Sequence, residues 1–561
     1  MRRLSPRLLA VGLLCTLLMA CQKPPEVVTG SDTEPSTDAA HETYSAEAFF
    51  QNTSFSMAPP SPYAFSADTG DLLITSDETG VFNAYRLNTA SGVRTALTSS
   101  GDSPIFAVSW FPSDDRFLFT QDGGGDELTH VFVQSPKGEV VDLTPGEKVK
   151  AGVMGWSSAG DAFFLFTNER EASAFDIYRC ATDGYARELI YTNTEGLDLG
   201  EISADGRWVV MARNNSNADS DLFLTDLNAA EPTPTNITPH EGDISHSSYG
   251  FTPDSTQLVY ATNEHGEFNQ AWTYDLTTGD TAPLIVADWD VSYVSYSPSG
   301  RYRVSGTNVD ASTKVTIVDT ATDSALALAD LPAGDIGQVR FNRDETAIAF
   351  GLNSDTAPYD LYTMALAGTP QQLTEATNPA IDTGMLVEGE VVRFASYDGL
   401  SVPGILYRPK TAAAEQPVPA IVSVHGGPGG QSRKGYFASV QHLVNHGYAV
   451  FRINNRGSSG YGKTFYHLDD RAHGEADLGD VVASKAFLAS LPWVDGDRIG
   501  IMGGSYGGYM VAAALAFEPE VFEVGINIFG VTNWVRTLKS IPDWWGSFRD
   551  ALYAELSLIH I

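Results

Sequence analysis

The middle of the chain repeats one pattern seven times, at intervals of 45 to 49 residues. Each copy has an apolar residue, a turn rich in Asp, Ser and Gly, and then an alternating apolar strand. The copies begin at Phe65, Phe111, Trp156, Ile202, Phe251, Tyr296 and Phe341. Several short strands at this period are typical of β-propeller blades, which must stack because one blade cannot bury both of its faces. The repeat therefore predicts a closed seven-bladed β-propeller over residues 58–375.

A different pattern begins near residue 380 and predicts a second domain over residues 380–561. Two continuous apolar runs, at 420–424 and 449–453, flank a helix predicted over 437–446. Buried strands joined by helices form doubly wound α/β sheets, whose ligand sites lie beyond the carboxyl ends of the strands. The loop at 425–430 and Ser505 both fall at such ends.

Residues 503–508 read Gly-Gly-Ser-Tyr-Gly-Gly and fit the G-x-S-x-G nucleophile elbow. An apolar strand is predicted before this segment and a helix after it, as the elbow requires. Such a turn forces the serine out of the fold, where a base can reach it. The motif predicts acyl transfer through Ser505, with the backbone N–H of Tyr506 as the first oxyanion donor.

Three hydrolase motifs follow the propeller pattern: HGGPGG at 425–430, NNRGSSGYG at 454–462 and GGSYGGYM at 503–510. Together with the propeller they resemble the prolyl oligopeptidase family of serine peptidases, on its dipeptidyl-peptidase and acylaminoacyl-peptidase side. The resemblance implies an α/β-hydrolase domain with an acyl-enzyme on Ser505. It also implies that the N–H of Gly427 is the second oxyanion donor.

The resemblance further implies two features that bind substrate, an apolar specificity pocket and propeller carboxylates that hold a free amino terminus. The matching residues are Val531, Trp534 and Trp545 for the pocket, and Glu169 and Glu171 for the carboxylates. Each set has a plainer interpretation. The aromatic residues are equally well explained as core packing, and the glutamates as charged surface residues.

The function implied is a serine exopeptidase acting on short peptides, with the propeller as a size filter and with neither metal nor cofactor. Members of the family often form dimers, so a homodimer is also expected. Two alternatives stay open, an esterase or acyl hydrolase of the same fold and a non-catalytic, peptide-binding propeller lipoprotein.

An elbow of this family needs an acid and then a histidine later in the chain. The only histidine after Ser505 is His560. We expect the acid and the histidine of the triad to lie beyond the given chain, which leaves the α/β-hydrolase domain incomplete and the chain as given inactive. Residues 556–561 are expected not to be native, because the family resemblance fades after Glu555.

Three patterns could mislead. Residues 457–464 match the phosphate-loop pattern, but no convincing helix start follows, so nucleotide binding is not expected. His442 and His446 have the spacing of a zinc pair but lack the intervening glutamate, which favours ordinary packing. His425 precedes the nucleophile, whereas the catalytic histidine should follow it, so a structural role is predicted.

The N-terminus predicts a lipoprotein. Residues 1–20 combine three arginines with an apolar stretch of signal-peptide length, and Leu-Met-Ala-Cys at 18–21 resembles a lipobox that would leave a lipid on Cys21. Residues 21–57 then form a flexible linker and entry segment. The expected location is the bacterial cell envelope, on the periplasmic side, with Gln22 favouring the outer membrane. The net charge of −36 makes nucleic-acid binding improbable.

Overall fold

The computed structural model describes residues 42–328 and 331–541. Cys21, Trp545, His560 and the segments 1–20 and 556–561 lie outside these residues. The described chain begins with a short helix, α1 (Ala46–Phe50), and then enters seven four-stranded antiparallel sheets. Within these described ranges, no helix is both long enough and apolar enough to cross a membrane.

Each blade consists of four consecutive strands, so the predicted seven-bladed β-propeller is confirmed. The first four blades are β1–β4 (Phe55–Met57, Leu72–Ser76, Asn83–Leu87, Arg94–Ala96), β5–β8 (Ile105–Trp110, Phe117–Gln121, His130–Gln134, Val140–Asp142), β9–β12 (Ala151–Trp156, Ala162–Glu171, Ala174–Ala181, Arg187–Tyr191) and β13–β16 (Asp198–Ile202, Trp208–Asn214, Ser220–Asp226, Thr235–Asn236). The other three are β17–β20 (His246–Phe251, Gln257–Thr262, Gln270–Asp275, Thr281–Ile285), β21–β24 (Val291–Tyr296, Tyr302–Val309, Ser312–Asp319, Ser324–Ala325) and β25–β28 (Asp335–Phe341, Ala347–Ser354, Ala357–Ala365, Gln371–Gln372).

The repeated turn joins the first strand of every blade to the second. A backbone N–H just before the turn donates to the carbonyl five residues later, as from Ser66 to Asp71 (2.8 Å) and from Ser157 to Ala162 (2.9 Å). In the second blade the equivalent bond runs from Phe111 to Arg116 (2.8 Å). That copy therefore starts one residue earlier than the sequence pattern indicates.

The propeller ring closes without exchanging a strand between its first and last blades. Apolar side chains of both blades share one buried cluster, which includes Phe55 and Leu361. The buried guanidinium of Arg340 donates twice to the carbonyl of Ala58, at 3.1 and 3.0 Å. Arg343 of the last blade also donates to Phe65 O at 2.9 Å. Apolar packing and side-chain hydrogen bonds to the backbone therefore close the ring where a shared strand could have done so.

The hydrolase domain is built on one six-stranded sheet. Its strands are β29 (Glu390–Ala395), β30 (Ser401–Tyr407), β31 (Val418–Val424), β32 (Ala449–Ile453), β33 (Val494–Gly504) and β34 (Gly525–Ile528), in the spatial order β29-β30-β32-β31-β33-β34. The pairs among β31, β32, β33 and β34 are parallel. The predicted α/β-hydrolase sheet therefore follows the propeller.

Most helices of this domain lie between these strands in the chain, whereas the last helix that the structure describes follows β34. The helices are α2 (Ala438–Asn445), α3 (Lys463–Tyr466), α4 (Ala476–Ala489), α5 (Tyr506–Phe517) and α6 (Trp534–Lys539), with 3₁₀ turns at Thr383–Met385 and His467–Asp469. The core packs α4 and α5 against the middle strands, through residues such as Val422, Val481 and Met510. The carboxyl ends of the neighbouring strands β31 and β33 carry the HGGPGG loop and Ser505.

Candidate active site

Ser505 sits on a strained turn between β33 and α5. Its φ of 57° and ψ of −119° are unusual for a residue other than glycine. Backbone hydrogen bonds hold this conformation: Ser505 N–H donates to Ile528 O (3.1 Å), and Ser505 O accepts from Tyr509 (3.0 Å) and Val531 (3.2 Å). The side chain is exposed. The geometry is that of a nucleophile elbow.

Gly507 explains how this turn can lie so close to the HGGPGG loop. A Cβ at that position would overlap the Val424 carbonyl oxygen and lie 2.8 Å from that of His425. Only glycine lets the start of α5 approach the end of β31 this closely. The loop itself reaches the nucleophile, because a Cβ on Gly426 would lie 3.5 Å from Ser505 Cβ and 3.9 Å from Ser505 Oγ.

The two residues predicted as oxyanion donors lie on the two segments that meet at Ser505. Tyr506 is the first residue of α5, where backbone N–H groups have no acceptor within the helix. Gly427 follows Gly426 in the adjoining loop, with a φ of 152°. A Cβ on Gly427 would lie 2.7 Å from the nitrogen of Gly429, so the loop needs glycine here. Such an arrangement can stabilise negative charge next to the serine.

His425 links the HGGPGG loop to the NNRGSSGYG loop. Its Nδ1 donates to Gly426 O (2.8 Å), and its Nε2 lies 2.9 Å from Ser458 Oγ. Burial lowers the pKa of His425 to about 4, so the imidazole is neutral at physiological pH. Both ring nitrogens are engaged away from Ser505, and these contacts support a structural role.

Within residues 42–328 and 331–541, no side chain forms a hydrogen bond with Ser505 Oγ. The described part of the site therefore offers an exposed serine on an elbow, with the backbone of Tyr506 and Gly427 nearby, but no base that hydrogen-bonds to the serine. The sequence analysis predicts that the catalytic histidine lies beyond the given chain. His560, the only histidine after Ser505 in the sequence, is not among the described residues.

The residues predicted to form the specificity pocket lie beside the elbow. Val531 N–H donates to Ser505 O (3.2 Å). The half-buried ring of Trp534 packs against Tyr506 and Tyr509, with centroid distances of 6.1 and 5.5 Å. These contacts suit a pocket wall and core packing alike. Trp545, the third predicted member, is not among the described residues.

Glu169 and Glu171 lie at the end of β10, and each pairs with an arginine of its own blade. Glu169 Oε1 is 2.8 Å from Arg187, and the exposed Glu171 is 3.1 Å from Arg170. Carboxylates already paired in this way favour the surface interpretation over a clamp for a substrate's amino terminus.

A propeller side chain fills the phosphate-loop lookalike. The carboxylate of Glu267 accepts hydrogen bonds from Thr464 N–H and Thr464 Oγ, both at 2.9 Å, at the start of the four-residue helix α3. This segment therefore serves as a contact between the two domains. His446 Nδ1 donates to His442 O (2.9 Å) within the other lookalike, which uses that nitrogen in a local bond.

The sequence patterns did not single out Asp469, His473 and Asp477, which lie together beneath the elbow. All three are buried. The carboxylate oxygens and the histidine nitrogen that could bind a metal ion lie within 4.8 Å of one another. The hydroxyl of Tyr506 donates to Asp477 Oδ2 at 2.5 Å. These acids belong to an acidic run that looks solvent-exposed in the sequence, so only their burial shows that they are part of the site.

Comparison with known proteins agrees with this geometry. The model described as "Prolyl oligopeptidase family" matches residues 435–556, and that of the family's N-terminal β-propeller domain matches residues 99–377. Dipeptidyl aminopeptidase BIII of Pseudoxanthomonas mexicana is 30% identical over 470 residues, covering 82% of this chain and 68% of that protein. Dipeptidyl peptidase family member 6 of Caenorhabditis elegans is 23% identical, covering 90% of this chain and 73% of that protein.

Solved structures share the fold. A puromycin-hydrolyzing peptidase of Mycobacterium tuberculosis superposes with a TM-score of 0.73 at 16% identity, covering 90% of this chain and 81% of the other. A prolyl endopeptidase structure gives the same TM-score at 17% identity, covering 91% and 76%. With two family models matched in order and a relative 30% identical over most of its length, the chain belongs to the prolyl oligopeptidase family of serine peptidases.

Proposed function

We propose that this protein is a serine exopeptidase that releases short units from the amino ends of peptides. The observation that carries the proposal is the strained elbow at Ser505, held against the HGGPGG loop. Support comes from the two relatives named dipeptidyl aminopeptidase and dipeptidyl peptidase. The propeller would limit access to peptides that are small enough to reach the serine.

In the proposed reaction Ser505 Oγ attacks the scissile carbonyl carbon while a base takes its proton. The carbonyl oxygen becomes an oxyanion that accepts hydrogen bonds from the N–H groups of Tyr506 and Gly427. The C–N bond then breaks, the amine leaves with a proton, and water hydrolyses the remaining ester. Each oxyanion donor would contribute about 3 kcal/mol to the stabilisation of the transition state.

The base is the component that the described site lacks. We therefore propose that the 561-residue polypeptide reacts slowly by itself, since a serine without its histidine loses roughly 10⁴- to 10⁶-fold in rate. Added imidazole can replace a missing histidine side chain as the base. Reaction at Ser505 should then rise with imidazole concentration.

The test compares three substrate types with the same chromophore: dipeptidyl-nitroanilides with a free amino end, acetylated aminoacyl-nitroanilides, and nitrophenyl esters. We expect imidazole-dependent cleavage of the first type, abolished by Ser505→Ala and retained by Ser490→Ala, which changes an exposed serine at the end of α4. Preference for acetylated substrates would indicate an acylaminoacyl hydrolase, and cleavage of esters alone an esterase. Fast cleavage without imidazole would contradict the missing base.

We also propose that a lipid on Cys21 anchors the protein at the periplasmic face of the cell envelope, on the strength of the lipobox resemblance. The test is metabolic labelling with an alkyne fatty acid in a bacterial host. Cys21→Ala should abolish both labelling and membrane recovery. Cys180→Ala is the matched control, because that thiol is completely buried in the propeller. Labelling that persists in the Cys21 variant would contradict the anchor.

A further inference from the structure

A buried hydrogen bond joins Tyr506, the residue after Ser505, to the preceding helix α4. Asp477 has no exposed surface and Tyr506 is only 3% exposed. The Tyr506 hydroxyl donates to Asp477 Oδ2 at 2.5 Å. Asp477 Oδ1 accepts from the backbone N–H groups of Gly474 (2.7 Å) and Leu478 (2.8 Å) at the start of α4. The carboxylate therefore joins the first turn of α4 to the first turn of α5.

The surroundings determine which group donates in this bond and which accepts. Burial is the main cause that raises the pKa of Asp477 to about 6, and burial also raises the pKa of Tyr506 well above its usual value. Above pH 6 the carboxylate is thus ionised while the phenol is neutral and donates. The other titratable groups that face the pair are Asp469, His473, Glu475 and Tyr509.

The ring of Tyr506 is enclosed as well as hydrogen-bonded. His473 packs edge-on against it at 5.7 Å, and its Nδ1 is 3.2 Å from Asp469 Oδ2. Tyr509, one turn further along α5, donates to His473 O at 3.2 Å. The side chain of Tyr506 is therefore enclosed by its neighbours as well as hydrogen-bonded.

Tyr506 is also the residue whose backbone N–H adjoins Ser505. We infer that Asp477 is a positioning residue for the oxyanion site: through the Tyr506 hydroxyl it fixes the backbone N–H of Tyr506 in the orientation that the reaction needs. The inference rests on the proposed function, because it assigns the purpose of the bond to chemistry at Ser505. Asp477 itself touches neither the nucleophile nor, in this assignment, the substrate.

The test uses Tyr506→Phe, Asp477→Leu and Asp477→Asn, with Tyr407→Phe as the matched control. Tyr407 is also a buried tyrosine of the hydrolase domain that donates to a buried aspartate, Asp355 Oδ1, at 2.8 Å. That pair lies between the sheet and the propeller rather than at the elbow. The control therefore removes the same kind of bond, with a similar loss of stability, without touching Tyr506.

The first readout is the rate at which a fluorophosphonate probe modifies Ser505 in the full chain, with imidazole present and the probe saturating. Tyr506→Phe and Asp477→Leu should lower this rate by about 10-fold or more while leaving probe binding unchanged, since losing an oxyanion donor outright costs about 10²- to 10³-fold. Asp477→Asn can keep a hydrogen bond to Tyr506 and should recover part of the rate. Tyr407→Phe should stay within about twofold of the original chain. A Tyr506→Phe rate equal to that of Tyr407→Phe would overturn the inference.

The second readout is amide hydrogen exchange, which does not depend on catalysis. The amides of Ser505 and Tyr509 are hydrogen-bonded at the elbow. Tyr506→Phe and Asp477→Leu should speed exchange in peptides spanning 503–510, and Tyr407→Phe should not. If the unaltered chain carries no adduct on Ser505, the proposed function fails. Hydrogen exchange alone then decides whether Asp477 positions Tyr506. Unchanged exchange in the elbow variants would show that Asp477 does not position Tyr506.

Discussion

The propeller and the hydrolase domain differ in how far apart in sequence their paired strands lie. Each blade pairs four strands that are consecutive in sequence, so its sheet is complete within one repeat. The hydrolase sheet instead places β32 between β30 and β31, and β33 beside β31, so partners come from distant parts of the chain. Because the pairing is local, the propeller fold can be predicted from its sequence repeats. Long-range pairing is what brings the HGGPGG loop and Ser505 together.

The exposed apolar side chains show the same contrast. In the propeller they are scattered over several blades and connections, as with Val93, Leu189 and Val286. In the hydrolase domain four fall within residues 517–529, where Phe517 is 69% exposed and Phe529 is 58% exposed. Single apolar residues are normal on a surface, whereas these four lie in and around β34, the outermost strand of the sheet within residues 42–328 and 331–541.

The largest expected effect comes from Gly507→Ala, which should break the hydrolase domain alone. The new Cβ would overlap the Val424 carbonyl oxygen, and backbone atoms cannot move away cheaply. We expect a loss of about 4 kcal/mol or more in the stability of this domain, together with all reactivity of Ser505. Urea unfolding followed by Trp fluorescence and by probe labelling measures both. Gly101→Ala, where a Cβ meets nothing within 4 Å, should leave both unchanged.

Arg340→Met should break the propeller seam instead. It removes two hydrogen bonds to Ala58 O and one to Val339 O from a buried site. The expected loss is about 3 kcal/mol, because buried hydrogen bonds from a charged donor are removed. Arg301→Met, at an exposed pair with Asp319, should cost less than about 1 kcal/mol. Equal losses in the two variants by urea unfolding would contradict the role of Arg340 in closing the ring.

A smaller effect is expected from pH, through a histidine of the propeller. Burial lowers the pKa of His246, and the adjacent His240 adds to this effect. The unfolded chain then binds a proton that the folded propeller excludes, so stability should fall as the pH drops below about 6.5. His246→Gln should flatten this fall in urea unfolding measured at a series of pH values. The same flattening in His265→Gln, an exposed site, would contradict the assignment to His246.

The smallest effect is expected from Glu169→Gln and Glu171→Gln. Both carboxylates already pair with arginines of their own blade, so neither is expected to hold a substrate. In a Ser505→Ala background, calorimetric titration with a tripeptide should give affinities within about twofold of the parent for either change. A large loss for the free tripeptide and none for its acetylated form would instead establish the predicted amino-terminal clamp.

The blades could be predicted because the turn and the strands of each blade lie within 45 to 49 consecutive residues. The elbow could be predicted because its glycines and serine are adjacent in sequence. The Asp477–Tyr506 bond joins residues 29 positions apart and could not. Nothing in the sequence marks Asp477 as buried, since it stands in an acidic run that looks like solvated surface. The role of Glu267 could not be predicted either, because its partner Thr464 lies far away in the sequence and in the other domain.

The proposed function depends on Ser505 as the nucleophile. The most direct measurement is to map the residue that a fluorophosphonate modifies in the 561-residue chain, by mass spectrometry of its peptides, with and without imidazole. We expect one adduct, on Ser505, that increases with imidazole concentration and is absent from Ser505→Ala. An adduct on another serine, or none under any condition, would contradict it.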